Sequence, residues 1–266
     1  MIQSRRKWFG SVGSVFALVM VSFILLSIDW PVWAQEPSSL PAASGLNAGA
    51  FCGTARLHEL ADWVSRNVPC PDPTLAELSA AGKVDAAGRV ITEQVGEQRP
   101  FWVLTSSNGT YTQMQITATL QVTGTHAYLY VENGQAVSEE ALDALASAFD
   151  KDYEKVVATF GGEWKPGRDG DERLTILLQQ NHDVTNPNWL GVFFMVDEYP
   201  DPVDAGRWGE LRSNEREMFY INLSQVDGIG LASEDFKSVL VHEFQHMIHF
   251  NQDLDPPHDH FLWESI

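Results

Sequence analysis

Basic residues are scarce in this 266-residue chain. Its 17 lysines and arginines stand against 36 aspartates and glutamates, which gives a formal net charge of −19. Nucleic acid is therefore disfavoured as a partner, because binding to a phosphate backbone depends on Lys and Arg displacing counterions. Simple repeats are also lacking and 44% of the residues are hydrophobic, which excludes a collagen, a coiled coil and a wholly disordered chain. The composition predicts a globular protein with one large domain, alone or with a small appendage.

Cysteine is nearly absent, since the chain contains only Cys52 and Cys70. In an oxidising compartment we expect them to form a disulfide that closes a short loop, with two separate thiols as the alternative. A zinc role is less favoured, because neither cysteine belongs to a CxxC motif or has a histidine beside it. The chain also lacks a GxSxG motif, a Ser-His-Asp arrangement and a phosphate-binding glycine loop, so nothing supports a serine hydrolase or a nucleotide-binding enzyme.

The N-terminus has the pattern of an export signal. A basic stretch, Arg5–Lys7, precedes a mostly apolar run from Trp8 to Ile28, and small residues follow at a position typical of signal-peptidase sites. We therefore expect residues 1–34 to be a signal peptide that is cleaved after Ala34, and the mature protein to be secreted. The alternative is a single membrane anchor, because about 20 apolar residues can span a bilayer. The sequence is compatible with both the Sec and the twin-arginine routes.

Residues 35–98 are expected to form a linker and a small helical segment stapled by the disulfide. Gln35–Ala50 is rich in Pro, Ser, Ala and Gly, a composition typical of linkers. Helical spacing over Ala55–Asn67, and a capping box formed by Thr74 and Glu77, predict two short helices. We interpret this part as a cap or propeptide-like segment that has no core of its own.

The main domain is expected to occupy residues 99–266. Its predicted strands are Tyr111–Val122, Ala127–Val131, Leu174–Leu178, Leu190–Val196 and Met218–Leu223. Its predicted long helices run from Ser138 to Phe160 and from Ser233 to Phe250. Strands and helices in this order predict an α+β fold, in which the two long helices pack on a twisted mixed sheet.

The second long helix contains the motif His242-Glu243-Phe244-Gln245-His246. Two imidazoles four residues apart lie one turn apart on the same helical face, so both can bind one metal ion. Zinc suits them, because it binds neutral imidazole and accepts a tetrahedral site with one position left for water. Glu243 lies beside the metal in this arrangement, where it can act as the catalytic base. The motif therefore predicts a zinc site with one catalytic carboxylate.

The two faces of this helix differ in polarity. The apolar face, which we expect to pack on the core, consists of Phe236, Leu240, Phe244, Met247 and Ile248. The opposite face carries the two motif histidines and His249, and we expect it to line a cleft. His249 and Asp253 are candidates for packing against, or hydrogen-bonding to, the metal ligands, because a fourth protein ligand would close the site to water.

The stretch His242–Asn251 resembles the active-site helix of the hyicolysin-like secreted neutral zinc metallopeptidases, which belong to the gluzincins together with thermolysin. Phe160–Asp171 and Ser213–Tyr220 also resemble parts of such exported proteins, so the similarity covers roughly residues 115 to 266. The resemblance implies a zincin-like fold and a third zinc ligand on a following helix, which is Glu264 in this sequence. It also implies that a C-terminal helical subdomain is missing, and we expect this chain alone to be weakly active or inactive.

Taken together, these patterns predict a secreted zinc endopeptidase that acts on protein or peptide substrates. The membrane is a partner only through an uncleaved signal segment. Two alternatives stay open: a non-catalytic surface or binding protein that keeps the fold, and a zinc hydrolase that acts on a different bond.

Two further features complete the expected site. We expect the apolar strand Met218–Leu223 to be a sheet edge that pairs with extended substrate through residues around Phe219 and Tyr220. A calcium site is a less favoured expectation, because the acidic residues that would form it lack the spacing of an EF-hand and are more typical of a turn. Those residues are Asp169, Asp171 and Glu172.

Overall fold

The computed structural model describes residues 52–107, 110–183, 187–226, 230–231 and 233–252, which all fall in one compact unit. The predicted signal peptide, the linker, Asp253 and Glu264 lie outside these residues. Within them, no helix combines the length and the apolar character that crossing a membrane requires.

Eight strands and four α-helices are described. The strands are β1 (Gln98–Ser107), β2 (Thr110–Thr123), β3 (Ala127–Glu132), β4 (Leu174–Gln179), β5 (Gly191–Phe193), β6 (Val203–Asp204), β7 (Glu210–Leu211) and β8 (Met218–Asn222). The helices are α1 (His58–Asn67), α2 (Leu75–Ala80), α3 (Glu139–Phe160) and α4 (Glu234–Gln252). Four short 3₁₀ turns lie at Thr54–Leu57, Met195–Glu198, Gly206–Trp208 and Leu223–Gln225.

The main sheet is mixed and has the strand order β1-β2-β3-β4-β8-β5, while β6 and β7 form a separate two-stranded ribbon. β1, β2 and β3 form an antiparallel meander, β3, β4 and β8 are parallel neighbours, and β5 is antiparallel to β8. Parallel neighbours need a crossover connection, and α3 supplies it between β3 and β4. The predicted α+β fold is thus confirmed, with α3 and α4 packed on a six-stranded mixed sheet.

Helix α3 begins and ends where the sequence predicts. The Ser138 hydroxyl accepts a hydrogen bond of 3.2 Å from the Ala141 N–H and so caps the first turn. Gly161 follows the last turn with φ 91°, a conformation that a residue without a side chain adopts at little cost. Between these ends, the helix buries one face against the sheet and α4. That face includes Leu142, Leu145, Phe149, Tyr153 and Val156.

The N-terminal segment packs into the same core as the main domain. Leu57, Leu60, Ala61 and Val64 are each at most 3% exposed and belong to the cluster that also contains the buried residues of the sheet. The predicted capping box of α2 is present, since Thr74 and Glu77 bond to each other's backbone N–H. The segment is therefore held by the main core.

The structure does not contain the expected disulfide. Cys52 and Cys70 are not bonded to one another. The Cys70 thiol donates to the backbone carbonyl of Glu198 at 3.3 Å, whereas the Cys52 sulfur lies 3.3 Å from His246 Nε2. The sequence argument rested on compartment and loop length, and neither determines where the fold places each thiol.

The expected substrate-binding edge is also wrong. β8 lies between β4 and β5, and Phe219 and Tyr220 are at most 1% exposed. An apolar run of this kind is typical of a strand covered on both faces inside a parallel sheet, not of an edge. The edge strand on this side is β5. It is shorter than the predicted strand Leu190–Val196, because the chain turns into the 3₁₀ turn at Met195–Glu198.

Candidate metal centre

Helix α4 carries the motif histidines and is fixed by its apolar face. The five residues predicted to face the core are each at most 1% exposed: Phe236, Leu240, Phe244, Met247 and Ile248. The Phe244 ring contacts Phe149 and Tyr153 of α3, with centroids 5.4 Å and 5.1 Å apart. Ser233 precedes the helix, and its hydroxyl accepts from the Phe236 N–H at 3.2 Å. The histidine face is thereby directed away from the core cluster.

Three side chains meet on that face. The Nε2 atoms of His242 and His246 are 3.1 Å apart, and Cys52 Sγ lies 3.3 Å from His246 Nε2. The potential ligand atoms of all three residues lie within 4.8 Å of one another, so the group could hold a metal ion. Among the described residues it is the only group of three such side chains, which gives the acidic residues around Asp171 no support as a calcium site.

The distances and the protonation of this group fit a shared ion. Tetrahedral zinc with ordinary bond lengths would hold two nitrogens about 3.3 Å apart and a nitrogen and a sulfur about 3.6 Å apart. Burial lowers the pKa of His246 to about 3 and also lowers the pKa of His242. Both imidazoles are therefore neutral near pH 7, which is the form that binds a metal. Buried His246 Nδ1 has no hydrogen-bond partner among the described residues.

Glu243 lies next to this group and is 0% exposed. Its Oε2 atom accepts from the Thr54 hydroxyl at 2.7 Å and from the Phe193 N–H at 3.1 Å, whereas no hydrogen bond of normal length reaches Oε1. Burial raises the pKa of this carboxyl to about 7, although hydrogen bonds from Thr54, the Cys52 thiol and the Phe193 N–H act in the opposite direction. Oε2 is therefore held by the protein, and the Cys52 thiol also lies beside this buried carboxylate.

A glycine in the edge strand makes room for this carboxylate. A Cβ atom at Gly191 would lie 2.6 Å from Glu243 Cγ, 2.8 Å from Glu243 Oε1 and 2.9 Å from Val239 Cγ1. Such contacts are far inside van der Waals distance, so no larger residue fits without displacing Glu243 or the strand. Gly191 therefore sets the distance between β5 and α4 at the site.

The structure brings together only part of the site predicted from the sequence. His242, Glu243 and His246 lie together, whereas Glu264 and Asp253 fall outside the described residues. His249 packs edge to face on Phe160 with ring centroids 6.2 Å apart.

The acidic turn takes part in local hydrogen bonds. Asp171 accepts from the Arg173 N–H at 3.0 Å and from the Tyr128 hydroxyl at 2.8 Å. Asp169 lies 3.6 Å from the Lys83 ammonium. Hydrogen bonds of this kind are typical of a turn that leads into a strand, as the sequence favoured.

Sequence reasoning missed three residues of the site: Cys52, Thr54 and Gly191. Cys52 is 194 positions away from its histidine neighbour, so no local spacing could reveal the contact.

Comparison with known proteins adds no family to this geometry. No protein-family model matches the sequence, and no curated protein is significantly similar to it.

Proposed function

We propose that the protein is a secreted zinc-dependent endopeptidase. One observation carries the proposal: two neutral imidazoles converge to 3.1 Å between their Nε2 atoms, and the intervening Glu243 is buried beside them with its carboxylate held by hydrogen bonds to Oε2. His242 and His246 would hold the zinc ion, and the resemblance to gluzincins supplies Glu264 as a third ligand. A bound zinc ion contributes a Lewis acid that polarises the scissile carbonyl and lowers the pKa of water.

Glu243 is the proposed general base. A base works best when its pKa lies near the working pH, and burial brings the pKa of this carboxyl to about 7. The N–H of Phe193 orients the carboxylate through Oε2, which leaves Oε1 to take the proton from the attacking water.

Strand β5 is the proposed substrate-binding edge in place of β8. It is the last strand of the sheet next to α4, and its backbone can pair with an extended peptide as sheet edges do. An extended polypeptide is therefore the substrate class that fits, which favours peptide hydrolysis over hydrolysis of another bond.

Metal analysis and a base substitution test this function. We expect one zinc per chain, and we expect Glu243→Gln to keep that zinc while peptide hydrolysis falls by about 10²–10⁴-fold, since the substitution removes only the base. His246→Ala should lose both metal and hydrolysis. Each variant is assayed with and without Cys52→Ser, because this thiol lies at the metal ligands. Absence of zinc, or unchanged turnover in Glu243→Gln, would reject the proposal.

A non-catalytic protein is the second candidate, because a cysteine beside two histidines also suits a closed structural zinc site. In that case the wild-type protein would retain zinc, and neither it nor any of the variants above would hydrolyse casein or a peptide library.

A further inference from the structure

Part of the histidine face of α4 is covered, whereas His242 and His249 keep intermediate exposure. Glu243 is 0% exposed and His246 is 2% exposed. A base and a metal ligand that act on a polypeptide must meet both water and substrate, which these exposures do not allow. Both side chains contact the short stretch Cys52–Thr54, whose last residue begins the 3₁₀ turn that leads into α1.

Each residue of this stretch contacts a different part of the proposed machinery. The Cys52 sulfur lies at the histidine nitrogens, and the Thr54 hydroxyl bonds to the Glu243 carboxylate at 2.7 Å. Between them, the Gly53 N–H donates to the Gly191 carbonyl of β5 at 2.8 Å and so takes one hydrogen-bonding position of the sheet edge, although the Gly53 backbone is helical (φ −72°, ψ −30°). Cys52–Thr54 therefore contacts the proposed metal position, the proposed base and the edge strand β5 at the same time.

Gly53 fits closely against the edge strand. A Cβ atom at this position would lie 3.0 Å from Val192 Cβ and 3.1 Å from the Gly191 carbonyl oxygen. A branched side chain here would push the stretch away from β5 without removing the thiol.

We infer that Cys52 binds the same metal ion as His242 and His246, and that Cys52–Thr54 occupies the substrate position and keeps the protein latent. Cysteine ligation would follow from the donor geometry alone, whereas latency rests on the proposed peptidase function. Thiolate sulfur with two imidazole nitrogens is a donor set that suits zinc. The thiolate takes the coordination position and Gly53 takes the edge hydrogen bond that a substrate would need.

The stretch is anchored by α1, so it is held at the site at high effective concentration. Leu60 and Val64 of α1 are at most 1% exposed in the shared core. Deleting this helix would therefore damage the fold, and single substitutions in Cys52–Thr54 are the sharper test.

The test uses the full chain, loaded with cobalt in place of zinc, as wild type, Cys52→Ser, Gly53→Val and the matched control Cys70→Ser. Thiolate ligation to cobalt produces a near-ultraviolet charge-transfer band. We expect this band in the wild type and in Cys70→Ser, a weaker band in Gly53→Val and none in Cys52→Ser. Titration with acetohydroxamate then measures access to the metal. Affinity should rise by about tenfold or more in Cys52→Ser and Gly53→Val, equivalent to about 1.4 kcal/mol or more.

The outcomes separate the two proposals. Absence of the band in the wild type, or equal hydroxamate affinity in all four proteins, would overturn the inference. Loss of cobalt binding in Cys52→Ser would support ligation by Cys52 but overturn latency, because the thiol would then be a permanent ligand of a closed site. If band and affinity change as expected but no variant hydrolyses peptides, the cysteine-blocked metal site is supported and the endopeptidase function of this chain alone fails. If hydrolysis also rises in Cys52→Ser and Gly53→Val, both proposals are supported.

Discussion

At the scale of single residues, the site depends on close backbone approach as much as on its ligands. Gly191 lets strand β5 pass beside Glu243, and the Phe193 N–H on the same strand orients the carboxylate. A strand that orients the proposed base and borders the proposed substrate position must lie close to α4, and only glycine permits that approach here.

Gly191→Ala should therefore destabilise the protein by about 1–3 kcal/mol, the usual cost of forcing an extra methyl into a packed site. We also expect it to displace Glu243 and lower hydrolysis. Urea unfolding and peptide assays measure the two effects.

Gly162→Ala is the matched control, because the nearest atom to its new Cβ would be Val157 Cγ1 at 3.9 Å. We expect its stability to stay within about 0.5 kcal/mol of the wild type. If Gly191→Ala and Gly162→Ala changed stability and hydrolysis equally, close contact with Glu243 would not be the reason for a glycine at position 191.

At the scale of elements, two helices with similar caps differ in what they bury. Ser138 caps α3, and Thr74 caps α2 within a full capping box. α3 buries a whole face against the sheet and α4, whereas α2 has no buried residue. The same kind of cap thus supports global stability in one helix and only local order in the other.

Ser138→Ala should lower the free energy of unfolding by about 1 kcal/mol, the typical value of a lost N-cap. Thr74→Ala should leave it within about 0.5 kcal/mol while the amides of α2 exchange faster with deuterium. Chemical denaturation and hydrogen exchange on both variants measure this contrast. Similar global losses in the two would mean that α2 is coupled to the main core more strongly than its exposure indicates.

At the scale of the whole molecule, a buried polar network joins distant parts of the chain. Asp197 is 0% exposed and accepts from the Asn214 N–H at 3.0 Å, from the Asn214 amide at 2.8 Å and from the Tyr220 hydroxyl. The Asn214 amide also donates to the Trp102 carbonyl of β1 at 2.9 Å. Burial raises the pKa of Asp197 to about 7, although the hydrogen bonds from Tyr220 and Asn214 lower it.

This shift predicts how stability changes with pH. The unfolded carboxyl has a pKa near 3.9, so between about pH 4 and pH 7 the folded protein holds a proton that the unfolded chain has lost. The contribution of Asp197 to the free energy of unfolding should therefore be fully present below pH 4 and fall as pH rises to 7, by up to about 1.4 kcal/mol per unit.

Urea unfolding of the wild type and of Asp197→Asn across pH 4 to 8 isolates this contribution as the difference between the two curves. Asp143→Asn, at an exposed position, controls for the loss of a carboxyl. A difference that stays constant with pH would contradict the proton uptake.

The sequence predicts much of the secondary structure and the local half of the site. Periodicity and caps locate α3 and α4, and the HEXXH spacing puts two imidazoles on one helical face because four residues make about one turn. The expected disulfide and the expected edge at β8 were wrong, since both depended on where distant segments meet.

Only the tertiary structure decided which residues lie next to the His242–His246 motif. Helical periodicity is a property of neighbouring residues and can be read from a few turns of sequence, so α4 and its two faces were determined locally. The contact of Cys52 with His246 spans 194 positions, and the order of β4, β8 and β5 is set by packing of the whole sheet. Such contacts form only when the chain folds around one core, and they are what places a thiol, a hydroxyl and an edge strand at the predicted zinc site.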